Sequence, residues 1–375
     1  MKERIWLSPP HMGHNEILYI KEAFEKNWIA PAGPNIKLFE DSISNFTQVE
    51  HAVAVNSGTS ALHLALILLN IKPGDEVICS SFTFIASANP ILYLKARPVF
   101  VDSDQQSWNM DPDLLEEAIE DKVKNGVKPK AIIVVHSYGN AARITEILSI
   151  AKKHQIPVVE DAAQAFGSTY QKKMLGSFGT IGVYSFNGNK IITTSSGGAL
   201  VTNNKDLAAK ATYLSNQARN ETEHFTHSDI GYNYRMSNIL AGIGLGQMKI
   251  VYERIKQRRQ VFEYYREALH DIPAISFIPE TDDSVSNRWL TCIALTPNAP
   301  TTPTEIKESL EKQNIESRYL WKPLHLQPIY QSAPFYGSGF SEKLFKTGLA
   351  LPSGSNLKMN ELDRVIDVIR DKFSH

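Results

Sequence analysis

From residue 51 the chain alternates short apolar runs with longer stretches of helical period. HAVAV, EVICS, PVFV, AIIVV and IPVVE are the short runs; TSALHLALILLNI, a stretch ending at Leu94, DPDLLEEAIEDKV and ITEILSIAKKH lie between them. Short, nearly continuous apolar runs fit strands covered on both faces, and strand–helix alternation assembles such strands into a mostly parallel sheet. After Glu160 the rhythm changes. IGVYSF and GALVT are joined by a polar segment that holds Lys190 and ends at the Gly197-Gly198 pair, with no helical pattern in it. The pattern predicts seven strands, the last two off the alternation.

Local signals agree with this division. Asp111 is a good N-cap with Pro112 at the first helical position, and Asn70 with Pro73-Gly74 closes the helix before EVICS. A long amphipathic stretch from about 236 to 271 predicts a connecting helix out of the first lobe. Beyond it, TPTEIKESLEKQ and NELDRVIDVIRDKF predict helices, and RWLTCIAL and IESRYL predict strands. The expected organisation is a large α/β domain over residues 1–250 and a smaller α+β domain over 251–375.

Composition narrows the partners. With 39 basic against 40 acidic side chains in 375 residues, nothing attracts nucleic acid or an anionic membrane in general. Small molecules or protein are the expected partners. Cys79 and Cys292 are the two cysteines, and MKERIWLSPP lacks the apolar stretch of a signal peptide; free thiols and a cytoplasmic location are expected. No apolar run reaches the length of a membrane span.

Functional groups in a parallel sheet collect at the carboxyl ends of strands. Three places qualify. In AVNSGTSALHLAL a strand runs into Ser57, Gly58 and Thr59 at the start of an apolar helix, where backbone N–H groups suit a phosphate. In PVVEDAAQAFGS, Glu160 and Asp161 end a strand and Gln164 follows. In SFNGNKIITT, Lys190 lies just past another strand end. Taken singly these are an N-cap, a helix cap and a surface lysine. Taken together, a phosphate cradle, a strand-end carboxylate and a lysine are what a pyridoxal phosphate site needs: the lysine forms a Schiff base and the carboxylate keeps the pyridine nitrogen protonated. Two other features carry less. GIGLG at 242–246 sits in a helical context without the strand that a dinucleotide fingerprint needs, and VDSD at 101–104 closes a strand with no His or Cys near it in sequence, so no metal is predicted.

NSGTSALHLAL, SSFTFIAS, VVEDAAQAFGS, GVYSFNGNKIITTSSGG and GYNYRMSN, in this order, resemble the sugar aminotransferases of the DegT/DnrJ/EryC1/StrS type, from end to end of the chain. The resemblance implies the aspartate aminotransferase fold, fold type I of the pyridoxal phosphate enzymes. It makes Lys190 the lysine that bonds the cofactor and Asp161 the partner of the ring nitrogen. It places Gln164 near the ring hydroxyl, Phe84 against the ring, and Ser185 with Gly58 and Thr59 at the phosphate. Asn233 matches a residue that reaches the neighbouring subunit's cofactor, so a homodimer with shared active sites is implied. SPPHMG, NWIAP, SNRWL, ESRYLWKPLH and LPSG look closest to the branch that aminates UDP-4-keto-6-deoxy-N-acetylglucosamine, with L-glutamate as donor and pyridoxamine phosphate as the intermediate cofactor form. Arg235, Arg288, Trp321 and His325 are the expected cleft residues for the nucleotide sugar. The SYG after His136, the AAR at 141–143 and Gln164 itself depart from many relatives.

Other readings fit less well. A sugar dehydratase of the same fold carries histidine where Lys190 stands. A cofactor-binding regulator needs a DNA-binding segment, and a nicotinamide dehydrogenase needs a glycine fingerprint in a strand-to-helix turn; the sequence shows neither.

Overall fold

The computed structural model describes residues 3–220, 222 and 224–374. An N-terminal arm leads into α1 (Glu16–Glu25) and α2 (Pro34–Thr47). The alternation follows as β1 (His51–Val55), α3 (Gly58–Leu68), β2 (Glu76–Ser80), α4 (Asn89–Tyr93), β3 (Arg97–Val101), α5 (Pro112–Lys124), β4 (Ala131–Val135), α6 (Ile144–Lys153) and β5 (Val158–Asp161). A small hairpin, β6 (Thr169–Tyr170) and β7 (Lys173–Met174), precedes β8 (Ile181–Ser185) and β9 (Gly198–Thr202). Then come α7 (Lys205–Ser215), α8 (Asn238–Met248) and α9 (Val251–Ala268). The rest holds β10 (Ile275–Phe277), β11 (Ser284–Val285), β12 (Thr291–Leu295), α10 (Pro303–Lys312), β13 (Arg318–Tyr319), β14 (Phe335–Tyr336), α11 (Phe340–Thr347), β15 (Gly348–Leu351) and α12 (Met359–Asp371).

The large sheet has the order β1-β9-β8-β5-β4-β2-β3-β14. Only β9 runs against its neighbours, between β1 and β8; the other pairs are parallel. All seven strands expected from the sequence are present, and the count is corrected to eight by β14, a two-residue strand contributed from near the C-terminus. Strands β2, β4, β5, β8 and β9 are buried at every position, which is why they carry no polar alternation.

Helix α3 is buried from Ser60 to Leu66, and the Ser57 hydroxyl caps it by accepting the Ser60 N–H at 3.0 Å. Each of its buried leucines stabilises the fold by roughly 1.5–3 kcal/mol. GIGLG lies within α8, where a Cβ on Gly244 would stand 2.6 Å from the Phe39 ring and one on Gly246 2.6 Å from the Glu16 backbone nitrogen. Those glycines let α8 pack closely on α1 and α2. The single helix expected over 236–271 is two helices, broken at Lys249 and Ile250.

A second sheet, β10-β12-β15-β13, is wholly antiparallel and shares a core with α9, α10 and α12. The lobes exchange segments. Ile5, from the N-terminal arm, belongs to this second core and bridges to Ile315, while β14 returns to the edge of the large sheet. Asp102 secures that return: its carboxylate accepts the amides of Ser338, Gly339, Phe340 and Ser341 at 2.8–3.1 Å. Among the described residues, the group of His and carboxylates close enough to share an ion is Glu116, Glu120 and His154, and Lys153 already pairs with both glutamates. No described helix is long and apolar enough to cross a membrane.

Candidate active site

Because β1, β2, β5 and β8 are mutually parallel in direction, their carboxyl ends share one edge of the sheet. A cavity of about 450 Å³ opens there, roofed by residues of the second lobe. Lys190 reaches it from the loop between β8 and β9. That loop is closed by the Lys190 amide on the Asn187 carbonyl at 3.0 Å and the Thr194 amide on the Phe186 carbonyl at 2.9 Å. The Lys190 ammonium lies 4.0 Å from the centre of the Trp289 ring. Burial pushes its pKa down to about 8, against the opposing pull of Asp161 and with added repulsion from Arg258. An amine with that value is still mostly protonated at pH 7, but about one molecule in ten is the free amine, far more than for an ordinary lysine, and that form is the one a nucleophile or base requires.

Asp161 ends β5 with its carboxylate in the same cavity. It accepts the Ser87 hydroxyl at 2.6 Å and the Ala163 amide at 3.1 Å. Burial raises its pKa, and the Ser87 hydrogen bond and the Lys190 charge work the other way. No cation is paired with it among the described residues. Its neighbour Glu160 points to the other face, as strand geometry demands. There it accepts His136 Nε2–H at 3.0 Å and the amides of Gly176, Phe178 and Gly179 at 2.5–2.8 Å. The Ala142 amide donates to His136 Nδ1 at 3.2 Å, which assigns the ring proton to Nε2. Glu160 therefore belongs to the frame and Asp161 to the cavity.

Across the cavity lies the N-terminus of α3. The amides of Gly58 and Thr59 fall in its first turn and have no intrahelical acceptor. The Ser185 side chain abuts them: a Cβ on Gly58 would sit 3.1 Å from Ser185 Cβ. Gly198, paired with both Ser185 and Val55, allows the approach, since a Cβ there would meet Gly58 N and Ser57 C at 2.5 Å. Free amides, a hydroxyl and a helix N-terminus form an anion cradle. The remaining wall is aromatic. Phe84 meets Trp321 at 5.4 Å, Trp321 stacks on Tyr138 at 5.6 Å, and Tyr138 stacks on Trp289 at 6.3 Å.

The structure thus gathers Gly58, Thr59, Phe84, Asp161, Gln164, Ser185, Lys190 and Trp321 around one cavity. Gln164 is held by accepting the Tyr138 amide at 2.7 Å. Four other expected residues do not line it. Arg288 is corrected from cleft to core: it is 4% exposed, pairs with Glu280 at 3.0 Å and lies 3.7 Å over the Phe262 ring. Its backbone is left-handed, with φ +51°, and that turn sends Arg288 inward while Trp289 faces Lys190. Arg235 pairs with Glu40 at 2.6 Å and donates to the Ala54 carbonyl. His325 is bonded to Ser81 at 2.7 Å, beside the sheet edge. Asn233 is exposed on its own chain, with its carbonyl accepting from Asn56. Trp289, Ser87 and Arg318 line the cavity and were not singled out from sequence. Trp289 lies one position after Arg288 in SNRWL, and the charge drew attention from the ring.

A sheet of this order and a lysine facing a strand-end carboxylate define a pyridoxal phosphate-dependent transferase of fold type I. The chain belongs to the DegT/DnrJ/EryC1/StrS aminotransferase family, whose profile matches residues 10–370. It is 50% identical to EpsN of Bacillus subtilis, provisionally described as a pyridoxal phosphate-dependent aminotransferase, over 100% of this chain and 97% of that protein. It is 38% identical to the GDP-perosamine synthase of Caulobacter vibrioides over 97% and 96%. It is 31% identical to the UDP-4-amino-4,6-dideoxy-N-acetyl-beta-L-altrosamine transaminase of Campylobacter jejuni over 92% and 91%. Among solved structures, a DegT DnrJ EryC1 StrS aminotransferase from Brucella abortus superposes with a TM-score of 0.90 at 31% identity, covering 96% of each chain. The protein is a sugar aminotransferase and pyridoxal phosphate is its cofactor. The residues present fit that group: a buried carboxylate without a paired cation among the described residues, a lysine whose pKa burial lowers and an anion cradle share one cavity.

Proposed function

We propose that this enzyme moves the amino group of L-glutamate to C4 of a UDP-linked 4-keto-6-deoxy-N-acetylhexosamine, giving a 4-amino sugar of the bacillosamine or legionaminic type for glycan synthesis. The observation that carries the chemistry is the Lys190 amine, held at a pKa of about 8 in the cavity that also contains Asp161 and the α3 N-terminus. Bound pyridoxal phosphate supplies an electron sink for the charge that develops when a donor loses its α-proton. In this reading the amides of Gly58 and Thr59 and the Ser185 hydroxyl hold the phosphate. Asp161 holds a proton on the ring nitrogen, Gln164 lies near the ring hydroxyl and Phe84 against the ring. Lys190 takes the α-proton of L-glutamate and, once 2-oxoglutarate has left, delivers a proton at the sugar's C4.

Trp321 and Arg318 stand at the mouth; the Arg318 side chain is 69% exposed and pairs with Glu316 at 2.8 Å, a surface contact that a diphosphate would have to compete with. Asn233 would complete the site of a second subunit in a homodimer. The exposed apolar side chains of Phe24, Trp28 and Ile29 support a buried contact of that kind.

A GDP-linked 4-keto sugar is the second reading, favoured by the 38% identity to a GDP-perosamine synthase. A panel of UDP- and GDP-linked 4-keto and 3-keto sugars, incubated with L-glutamate and read by product mass and NMR, separates the two. Preferred amination of the UDP-linked 4-keto N-acetylhexosamine is expected; preference for a GDP-linked sugar overturns the first reading and supports the second.

A further inference from the structure

The residue before the lysine is gripped from two sides. The Asn189 carbonyl accepts the Ser8 hydroxyl at 2.8 Å and the Trp289 indole N–H at 2.7 Å. Both donors lead to one cation. Arg258, on α9, donates to the Trp289 carbonyl at 2.6 Å, to Ser8 Oγ at 2.9 Å and to the Ser353 carbonyl at 3.1 Å. It is 1% exposed, its Nε has no hydrogen-bond partner, and no carboxylate pairs with it among the described residues.

A buried guanidinium without a counter-ion is costly. Three neutral acceptors could be bridged by a neutral donor, so the charge itself calls for an explanation. The charged side chains acting on Lys190 are Asp161 from β5 and Arg258 from α9. One attracts the ammonium and one repels it. Ser8, Trp289 and Ser353 present only neutral groups to Arg258.

We propose that Arg258 is a positioning residue for Lys190: through Trp289 and Ser8 it fixes the backbone at Asn189, and its uncancelled charge disfavours the lysine's ammonium form and so enlarges the share of free amine. The proposal rests on the reading of Lys190 as the reactive amine. The direction of the charge effects agrees with it. Burial lowers the Lys190 pKa most, Asp161 opposes, and Arg258 adds to the lowering. Burial, with Arg254 beside it, brings Arg258 itself down to about 9, so it remains charged at neutral pH.

The test uses the full chain freed of cofactor and pulsed with cyanate, which carbamylates neutral amines, across a pH series with the Lys190 peptide quantified by mass spectrometry. The wild-type midpoint is expected near 8. Arg258→Met should move it upward, with the modification rate at pH 7 falling about tenfold for every whole pH step the midpoint climbs, and Arg258→Lys should restore the low midpoint. An unmoved midpoint in a folded Arg258→Met protein overturns the proposal. Should Arg258→Met not fold, Ser8→Ala and Trp289→Phe each remove one donor to Asn189. Faster amide exchange across residues 187–192 is then expected, and unchanged exchange in both overturns the clamp. Borohydride trapping separates failures: no cofactor adduct at Lys190 in the wild type defeats the underlying reading, whereas an adduct with an unmoved midpoint defeats only the role of Arg258.

Discussion

Lys190 is a cation that its surroundings disfavour, and that can be measured without substrate. Its folded pKa of about 8 lies below the ordinary lysine value of 10.5, so between those values the unfolded chain binds more protons. Stability contributed by this site therefore rises with pH from about 8 to about 10.5, and the penalty is fully present below 8. In the cofactor-free protein, Lys190→Met should be more stable than wild type in urea at pH 7, and the gap should shrink by pH 10; an equal gap at both would contradict the account. In the holoenzyme, Lys190→Ala should lower turnover by about 10²–10⁴-fold. How far this site could be read from sequence depended on chemistry visible in one dimension. Asp161 ends a strand and Lys190 and the Gly58-Thr59 turn lie just past strand ends, so their convergence follows from the topology. Arg288 and Trp289 could not be sorted that way, because the left-handed backbone at Arg288 reverses which of the two faces the cavity.

Elements are joined here by a few buried carboxylates. Asp102 satisfies four amides at the start of α11 and thereby pins β14 to β3. Asp102→Ala should lower stability by at least about 1–3 kcal/mol, the cost of leaving a buried polar group unpaired, and should speed amide exchange in residues 335–341 ahead of the central strands. Uniform exchange across the sheet would count against a local staple. Gly198 joins β9 to the start of α3 through an approach no other residue allows. Gly198→Ala is expected to weaken pyridoxal phosphate binding more than it lowers the melting temperature, as read by cofactor titration beside calorimetry. The short apolar strands of the large sheet were legible because burial on both faces leaves an unbroken run. Strand β14 was not: two residues have no period, and its place is set by an aspartate far away in sequence. The break between α8 and α9 lacked a Gly or Pro to announce it.

At the scale of the molecule, the two lobes are interleaved, with Ile5 in the second core and β14 on the first sheet. The exposed Phe24, Trp28 and Ile29 lead to a prediction of assembly. Sedimentation should give twice the chain mass of 42.0 kDa, and Trp28→Glu should release monomers with reduced activity; a wild-type monomer of full activity would refute the shared-site arrangement. The central claim is that the β8–β9 lysine bonds the cofactor in a sugar aminotransferase. Its most direct measurement is borohydride reduction of the yellow holoenzyme followed by peptide mapping. The account predicts a pyridoxyl group on the peptide carrying Lys190, and its loss from that peptide after pretreatment with L-glutamate. Label on a different lysine, or label at Lys190 that glutamate cannot discharge, would contradict it.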